Sequence, residues 1–309
     1  MKLLIIGDLH GRKPIIKTKD FDAFALVGDI CDDRKIGKLY KKYFTLLKNP
    51  DFEMGFKEFA YSEIEKNKFL EYEKKSLIVG RKILKYLDKF EKPIFMVGGN
   101  WDQSYGKTMI KNVDKDTYNR LRYFYDSWMG DKLNSFLTKG IRNLKNCMFR
   151  NVEYNGINFV GYGLSSGPER VKKKYKKEMG SAKFNILKNL RKKLFGKLYS
   201  IYKNRKNKRI PTVFISHNIP YGTRLDIIKD KKSYAYKKHA GSILARDFCK
   251  KFQPLVCIGG HVHEGKGKDK IGKTTIINPG YGANAQVLLE LEENKKAVRK
   301  IKFLSHPNI

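Results

Sequence analysis

Four histidines and three further side chains that can bind metals stand at the ends of apolar runs in this sequence. The histidines are His10, His217, His261 and His263, and the other side chains are Asp8, Asp29 and Asn100. Each apolar run is typical of a buried strand that delivers a loop at its carboxyl end. Because parallel strands bring their carboxyl ends together, we expect the seven side chains to converge on one site.

This set of ligands indicates a particular kind of chemistry. Imidazole, carboxylate and amide groups together suit borderline divalent metals such as Mn, Fe, Ni or Zn. Seven ligands exceed what one ion usually takes from a protein, so two ions that share a bridging carboxylate fit better. Two such ions would activate a water or hydroxide as a nucleophile. The sequence contains no Ser or Cys motif that indicates a covalent intermediate.

Eight short apolar runs predict the strands that position these residues. They occupy residues 2–8, 23–29, 93–99, 157–163, 212–218, 255–261, 274–280 and 286–292. The Asn155-Gly156 pair predicts a hairpin that ends in the fourth run, and we expect a second hairpin after residue 286. Two long lysine-rich stretches with helical spacing, 36–90 and 168–209, lie between the strands. We therefore predict an α/β fold with a single domain over residues 1–309 and two helical insertions.

The charge of the chain is strongly positive, with 66 Lys and Arg against 31 Asp and Glu. Such a surface attracts polyanions, which favours a nucleic-acid partner. The alternative is compositional, because lysine-rich proteins place lysine on many solvated faces. The stretch 168–209 contains the densest basic run. It is either a basic lid over a polyanion or a solvated amphipathic helix that covers the fold.

The cysteines and the amino-terminal residues indicate the cellular compartment of the protein. The cysteines are Cys31, Cys147, Cys249 and Cys257; they show no CxxC spacing and are typical of reduced cysteines in a cytosolic protein. The first apolar run is too short for a signal peptide, and no stretch approaches 18 apolar residues. We expect a cytoplasmic protein without a membrane partner, and no pattern indicates an oligomeric state.

Five blocks of residues occur in order between positions 7 and 263: GDLHG, GDICD, GGNWD, SHNIP and GGHVH. They resemble the motifs of the calcineurin-like metallophosphoesterase superfamily, in its archaeal and bacterial phosphodiesterase-like branch. The resemblance implies a two-sheet αββα sandwich and a metal-dependent phosphoric ester hydrolase.

The resemblance also implies a role for each ligand. Asp8, His10 and His263 would hold the first metal, Asn100, His217 and His261 would hold the second, and Asp29 would bridge the two. The cofactors would be two divalent ions, of which Mn²⁺ is favoured and Ni²⁺, Fe²⁺ and Zn²⁺ are alternatives. The substrate would be a phosphate ester.

Trp101 departs from the family's pattern. In the monoesterase members this block is G-N-H-D/E, and its histidine protonates the leaving alkoxide or stabilises the transition state. An indole N–H donates a hydrogen bond but is no acid at physiological pH. Members of the family that lack this histidine are often phosphodiesterases, so the resemblance implies a phosphodiesterase, which we expect to act on nucleotide or nucleic-acid-like substrates. The Trp101 ring would stack on a base or aryl group, worth about 1–3 kcal/mol, or would pack against an insertion.

His239 lies in an H-x-G-S segment and is the candidate for a replacement acid. Ser242 behind it would cap a helix whose amino terminus could bind phosphate. His239 defines one alternative function, a phosphomonoesterase. A further alternative is a nucleic-acid- or protein-binding scaffold with a vestigial metal site.

The remaining candidate residues surround the five blocks. Asp102 matches the acidic end of its block, so it joins Trp101 and His239 as a candidate catalytic residue. Arg12 and Arg34 follow metal motifs and could form a bidentate phosphate clamp, although Arg34 stands one place later than in phosphatases of the G-D-x-x-D-R pattern. The expected substrate contacts are Arg12, Arg34, Asn100, Trp101 and His239.

Overall fold

Two six-stranded mixed sheets form the centre of the molecule in the computed structural model. The structure describes residues 1–46, 49, 52, 54–102, 133–163, 174–231, 233, 235–292, 294 and 296–304, with the backbone alone at 174–179, 183, 187 and 190. The α/β class predicted from the sequence is confirmed.

The first sheet contains six strands in the order β12-β11-β1-β2-β3-β4. These are β1 (Lys2–Ile6), β2 (Ala23–Leu26), β3 (Ile94–Met96), β4 (Leu144–Asn146), β11 (Gln286–Glu292) and β12 (Ala297–Phe303). Strands β1 to β4 are parallel, while β11 runs antiparallel to β1 and pairs with β12 in a hairpin.

The second sheet has the order β5-β6-β7-β8-β10-β9. Its strands are β5 (Asn151–Tyr154), β6 (Ile157–Tyr162), β7 (Thr212–Asn218), β8 (Val256–Gly260), β9 (Gly267–Ile271) and β10 (Thr274–Asn278). The four central strands β6, β7, β8 and β10 are parallel, and antiparallel strands form both edges.

All eight predicted apolar runs contain a strand, and both predicted hairpins are present. Asn155 and Gly156 have φ angles of 42° and 69°, the positive values that a tight hairpin turn requires. Strand β11 runs antiparallel to β1, so its carboxyl end does not join those of the parallel strands. Strands β4 and β9 were not predicted, because their sequences LKN and GKDKI carry no apolar run.

Six helices flank the sheets within the described residues. They are α1 (Ile36–Leu46), α2 (Phe56–Ile64), α3 (Lys66–Asp88), α4 (Ser135–Thr138), α5 (Lys174–Lys203) and α6 (Ile243–Phe252). The lysine-rich stretch 36–90 contains α1 to α3. The stretch 168–209 contains α5, whose helical geometry is interrupted at Gly180, and residues 168–173 lie outside the described part. That both stretches are insertions into a single domain stays a prediction.

Apolar packing arranges these elements in four layers. Between the sheets, Phe95 of β3 stacks on Phe159 of β6 at 3.7 Å. On the outer face of the second sheet, Phe214 of β7 stacks on Phe248 of α6 at 4.2 Å, and α5 buries Leu194 and Leu198 in the same cluster. Helix α3 adds buried residues to the cluster of the first sheet. This is the predicted αββα sandwich, and α5 covers the second sheet as the amphipathic-helix interpretation predicts.

The described residues also settle two simpler points. All four cysteines are buried and form no disulfide. In the part of the chain that the structure describes, we find no helix with the length and apolar character needed to cross a bilayer.

Candidate metal centre

The carboxyl ends of five parallel strands deliver all seven predicted ligands to one place. Asp8 and His10 follow β1, Asp29 follows β2 and Asn100 follows β3. In the second sheet, His217 lies at the end of β7, and His261 and His263 follow β8. The side chains form two groups, Asp8/His10/His263 and Asp29/His217/His261; within each group the potential ligand atoms lie within 4.8 Å of one another.

The first group brings two imidazole rings and a carboxylate together. His10 Nε2 lies 3.0 Å from His263 Nε2, and His263 Nε2 lies 3.8 Å from Asp8 Oδ2. Ligands at right angles on one ion, with metal–nitrogen bonds of about 2.1 Å, are about 3 Å apart. The spacing of the two nitrogens therefore fits a shared metal ion.

The second group is completed by the Asn100 side chain. Asn100 Oδ1 lies 3.0 Å from His217 Nε2 and 3.1 Å from His261 Nδ1. Asp29 Oδ2 lies 3.5 Å from His217 Nε2 and also 3.5 Å from His10 Nε2. Asp29 thus stands between the two groups, where a bridging carboxylate would lie.

The backbone that presents these ligands is unusual. His10, Asp29 and His261 have φ angles of 45°, 50° and 66°, in the left-handed region that residues with a Cβ atom rarely adopt. Strained conformations of this kind cluster at functional sites. Gly99 serves the same site, because a Cβ atom there would lie 2.2 Å from Asp29 Oδ1.

Hydrogen bonds behind the ligands fix their orientation. His217 Nδ1 lies 2.8 Å from the carbonyl oxygen of Val27, so an N–H at Nδ1 donates there and leaves Nε2 for a metal. His10 Nδ1 lies 2.9 Å from Asp33 Oδ2, which orients its ring in the same way. The backbone N–H of His261 donates to Asp8 Oδ2 at 2.5 Å.

The electrostatics of the centre favour a bound cation. Burial raises the pKa of Asp8 to about 7 and also raises the pKa of Asp29. Burial alone would lower the pKa of His10, but the carboxylates of Asp33 and Asp29 outweigh it and raise this pKa to about 9. Burial and the neighbouring His10 lower the pKa of His263 to about 3. A divalent cation would stabilise the ionised carboxylates and the neutral imidazoles.

One buried atom supports this fit directly. Asp8 Oδ1 is buried without a hydrogen-bond partner among the described residues. Buried carboxylate oxygens are usually hydrogen-bonded or bound to a metal. The donor set of carboxylate, imidazole and amide groups suits divalent ions, so the residues present fit two metals.

Trp101 lies between the metal centre and the first helices. Its backbone N–H donates to Asp29 Oδ1 at 2.8 Å, and its ring meets the His10 ring edge-on at 6.5 Å. The ring also contacts Tyr40 of α1 at 5.3 Å and packs against the apolar cluster of α1 to α3. These contacts agree with the packing interpretation of Trp101, while stacking on a substrate stays a prediction.

Asp102 supports the loops that carry two of the ligands. Its fully buried carboxylate accepts the backbone N–H groups of Ile30 and Cys31 through Oδ1, at 2.9 and 3.1 Å. Oδ2 accepts the N–H of Gly99 at 2.9 Å. These bonds join the loop after β2 to the loop after β3 and so position the ligands there. A catalytic role for Asp102 stays a prediction.

The two candidate arginines differ in their partners. Arg34 donates through Nε and Nη2 to both carboxylate oxygens of Asp32, at 2.8 and 2.7 Å. Arg12 forms no ion pair with a carboxylate in the described part of the chain; its Nη1 lies 3.4 Å from the His10 carbonyl oxygen. Its guanidinium carbon lies 4.6 Å from the centre of the Tyr281 ring. Phosphate binding by either arginine stays a prediction.

His239 pairs with a residue that the sequence did not indicate. His239 Nδ1 lies 2.7 Å from Oδ1 of the buried Asp226, whose Oδ2 accepts the backbone N–H groups of Gly222 and Gly241 at 3.0 Å each. The predicted cap is confirmed, since Ser242 Oγ accepts the Ala245 N–H of α6 at 2.9 Å. The structure thus orients His239, but no contact among the described residues joins it to a metal ligand.

Sequence reasoning missed three residues of this region: Asp33, Asp226 and Tyr281. Asp33 directly follows the Asp32 that matches the motif, and the doubled aspartate was the available signal. Tyr281 follows β10 in the segment NPGYG, so a search of the residues that follow each predicted strand could have found it. Asp226 lies 13 residues before His239, and no local pattern joins the two.

Comparison with known proteins identifies the class that this fold and site define. A family model of the calcineurin-like phosphoesterases matches residues 1–265. The chain belongs to this family, whose members normally bind two divalent metals and act on phosphate esters.

Individual relatives share limited sequence identity with this chain. The uncharacterized protein MJ1162 of Methanocaldococcus jannaschii is 32% identical over 152 residues, which cover 48% of this chain and 56% of that protein. The chain thus matches little more than half of that relative's length. One crystal structure has a TM-score of 0.54 at 18% identity and covers 98% of this chain and 99% of its own. The crystal structure of TT1561 of Thermus thermophilus has a TM-score of 0.44 at 13% identity and covers 98% of each chain.

Proposed function

We propose that the chain is a binuclear metal-dependent phosphodiesterase that hydrolyses nucleotide or nucleic-acid-like diesters. The observation that carries this proposal is the Asn100–Asp102 turn beside the bridging carboxylate. It presents an indole, which cannot transfer a proton, where monoesterases of the family present a histidine. The backbone N–H of Trp101 donates to Asp29, so the turn still supports the bridging carboxylate although it presents no acid.

The residues of the centre divide the work. When bound, two divalent ions supply an activated water at neutral pH and neutralise the phosphoryl oxygens. Asp8, His10 and His263 would hold one ion, Asn100, His217 and His261 the other, and Asp29 both. Arg12, which is exposed and lies beside the first group, binds the phosphoryl oxygens of the substrate.

The identity of the leaving group follows from what surrounds the centre. An unactivated alkoxide leaves poorly without a proton donor. No histidine beyond the four ligands contacts the centre in the described residues, and the Trp101 ring stands beside His10. The site therefore favours esters whose leaving group is stable or is assisted from the substrate side. We favour Mn²⁺ as the metal, with Ni²⁺, Fe²⁺ and Zn²⁺ as alternatives.

A second candidate function, a phosphomonoesterase, is favoured by the pair His239–Asp226. A buried carboxylate that orients one imidazole nitrogen leaves the other nitrogen to exchange a proton, as general acids do. The His239 side chain is 37% exposed, so solvent or substrate can reach it. If His239 is that acid, His239→Ala will abolish turnover of an alkyl monoester such as glycerol 2-phosphate, whose alkoxide needs a proton donor, and will spare metal binding.

A scaffold with a vestigial site is less well supported. Every predicted ligand position is filled in both groups. His10 Nε2 lies close to His263 Nε2 in the first group, and His217 Nε2 lies close to Asn100 Oδ1 in the second. A nucleic-acid partner remains compatible with the charge of +35 and would be the substrate in the phosphodiesterase proposal.

The test is a pair of hydrolysis rates on metal-stripped protein titrated with Mn²⁺, Ni²⁺, Zn²⁺ and Mg²⁺. The substrates are bis-p-nitrophenyl phosphate, p-nitrophenyl phosphate and the alkyl monoester glycerol 2-phosphate, whose alkoxide needs a proton donor. We expect metal-dependent turnover with a preference for the diester. Turnover of glycerol 2-phosphate that disappears in His239→Ala would support the second candidate. A protein that hydrolyses none of the three substrates with any metal would contradict both.

A further inference from the structure

A short glycine turn after β10 places an aromatic ring against the first metal group. Gly280 and Gly282 have φ angles of 90° and 93°, and Tyr281 stands between them. The backbone N–H of Asp8 donates to the Gly280 carbonyl at 3.2 Å, and the N–H of Gly282 donates to the Asp8 carbonyl at 2.8 Å. The turn is thus tied on both sides to the backbone of a metal ligand, which fixes where Tyr281 stands.

The ring of Tyr281 contacts two histidine ligands and one arginine. It stacks on His263 with 4.2 Å between ring centres and 19° between planes, and it meets the His10 ring edge-on at 5.2 Å. The Arg12 guanidinium lies over the same ring at 4.6 Å. Tyr281 is nevertheless 39% exposed, whereas most large apolar side chains of the described residues are buried.

The Tyr281 ring is one of the few contacts that place Arg12. Among the described residues its one hydrogen bond is long, from Nη1 to the His10 carbonyl at 3.4 Å, and its charge also helps to lower the pKa of the Asp32 carboxyl. An arginine over an aromatic face keeps its N–H edge free for hydrogen bonds, because the ring occupies the plane and not the donors. Arg34, by contrast, directs its donors to Asp32.

We propose that Tyr281 is a positioning residue for phosphate binding, because its ring holds the Arg12 guanidinium beside His263. Arg12 then binds the anionic oxygens of a phosphoryl group that also faces the first metal group. This inference deepens the proposed function and rests on it for the identity of the substrate. The ligand class is a phosphate anion or phosphate ester, which a planar guanidinium matches with two parallel hydrogen bonds.

The test uses inorganic phosphate as the probe and calorimetry on the full chain saturated with Mn²⁺, so no turnover is needed. Arg12→Ala and Tyr281→Ala should each weaken phosphate binding about tenfold, the loss expected for one charge-assisted interaction. Tyr281→Phe keeps the ring and should stay within about twofold of the wild type. The double variant Arg12→Ala/Tyr281→Ala should bind no more weakly than Arg12→Ala, because Tyr281 acts through Arg12.

A matched control is available away from the metal centre. Phe136 is also exposed, at 44%, and carries the Arg81 guanidinium over its ring at 5.3 Å. Phe136→Ala should leave phosphate binding unchanged. The Mn²⁺ content of every variant is measured in the same samples and should equal that of the wild type.

Three results would overturn the inference: wild-type phosphate affinity in Tyr281→Ala, additive losses in the double variant, or a loss of Mn²⁺ from Tyr281→Ala. The last would mean that the ring serves His263 rather than Arg12. These outcomes are separate from the proposed function. A chain without diester turnover can still show the predicted pattern of phosphate binding, and an active diesterase can fail to show it.

Discussion

The two metal groups differ in what holds their histidines. In the first group, side chains do so: the Asp33 carboxylate orients His10, and the Tyr281 ring stacks on His263. In the second group, the backbone carbonyl of Val27 orients His217. His217 itself lies in β7, which is buried along its whole length.

This difference has a consequence for how each group responds to change. A carboxylate or a ring can be removed by one substitution, whereas a backbone carbonyl cannot. Burial does not separate the groups, because each has two buried ligands and one half-buried histidine. We expect the ion of the first group to be the one whose affinity depends on neighbouring side chains and on pH.

The largest effect should come from the residue that the two groups share. Asp29→Asn keeps the shape of the side chain but removes the charge that lies 3.5 Å from a histidine of each group. We expect kcat/KM for the diester to fall by roughly 10²–10³-fold or more. Metal content measured by mass spectrometry should fall as well. Asp20→Asn, in an exposed ion pair with Lys2, is the control and should change neither quantity.

Asp33→Ala should separate the two groups. Loss of the carboxylate that orients a metal-binding histidine typically costs about 10–100-fold in metal affinity. We expect one of two Mn²⁺ binding steps to weaken by that amount in a titration followed by electron paramagnetic resonance. Asp32→Ala is a matched control, because its carboxylate pairs with the exposed Arg34 instead. Equal weakening of both binding steps would show that Asp33 does not act on the first group alone.

Trp101→His should have a smaller effect, on substrate preference. The substitution leaves the backbone N–H that holds Asp29 and replaces the ring beside His10 with one that can transfer a proton. We expect the ratio of monoester to diester turnover to rise several-fold, up to about the 10²-fold that a positioned acid contributes. Trp101→Phe, which restores a ring without an acid, should keep the low ratio. A rise in both variants would assign the preference to packing.

The smallest effect concerns stability without metal. The pKa of His10 is raised from 6.5 to about 9 in the folded protein, so its stabilising contribution is complete below pH 6.5 and is lost as the pH rises towards 9. The pKa of Asp8 is raised to about 7, so the loss of stability that its ionisation causes is complete near that pH. The melting temperature of chelator-treated protein should therefore fall between pH 7 and pH 9. Mn²⁺ needs the neutral imidazole, so its presence should remove this fall or reverse it. A chelated protein whose melting temperature rises over the same range would show that a charged His10 does not stabilise the metal-free fold.

Much of the centre could be predicted from sequence, because the strands are short, apolar and parallel. A buried parallel strand is indicated by an unbroken apolar run, and its carboxyl end marks where Asp8, Asp29 and His261 stand. The same rule explains what was missed, because strands β4 and β9 lie in polar sequence without an apolar run.

The partners of the ligands were harder to predict, because they depend on tertiary contacts. Asp33 and Asp32 are adjacent in sequence, and only the turn after β2 decides which one faces His10. Asp102 resembles a catalytic acid in its motif, but its buried carboxylate accepts three backbone N–H groups. Tyr281 contacts Arg12 and His263 because its turn is hydrogen-bonded to Asp8, which is more than 200 residues away in the sequence.

If two ions share Asp29 and act together on a diester, both must be bound before turnover begins. The decisive measurement adds Mn²⁺ stepwise to metal-free protein while bis-p-nitrophenyl phosphate turnover and the paramagnetic resonance spectrum are recorded together. We expect little turnover with the first equivalent, and full turnover with the second, together with the spectrum of a spin-coupled pair. Full turnover with a single uncoupled ion, or a coupled pair without turnover of any phosphate ester, would rule out a shared, cooperating pair of ions.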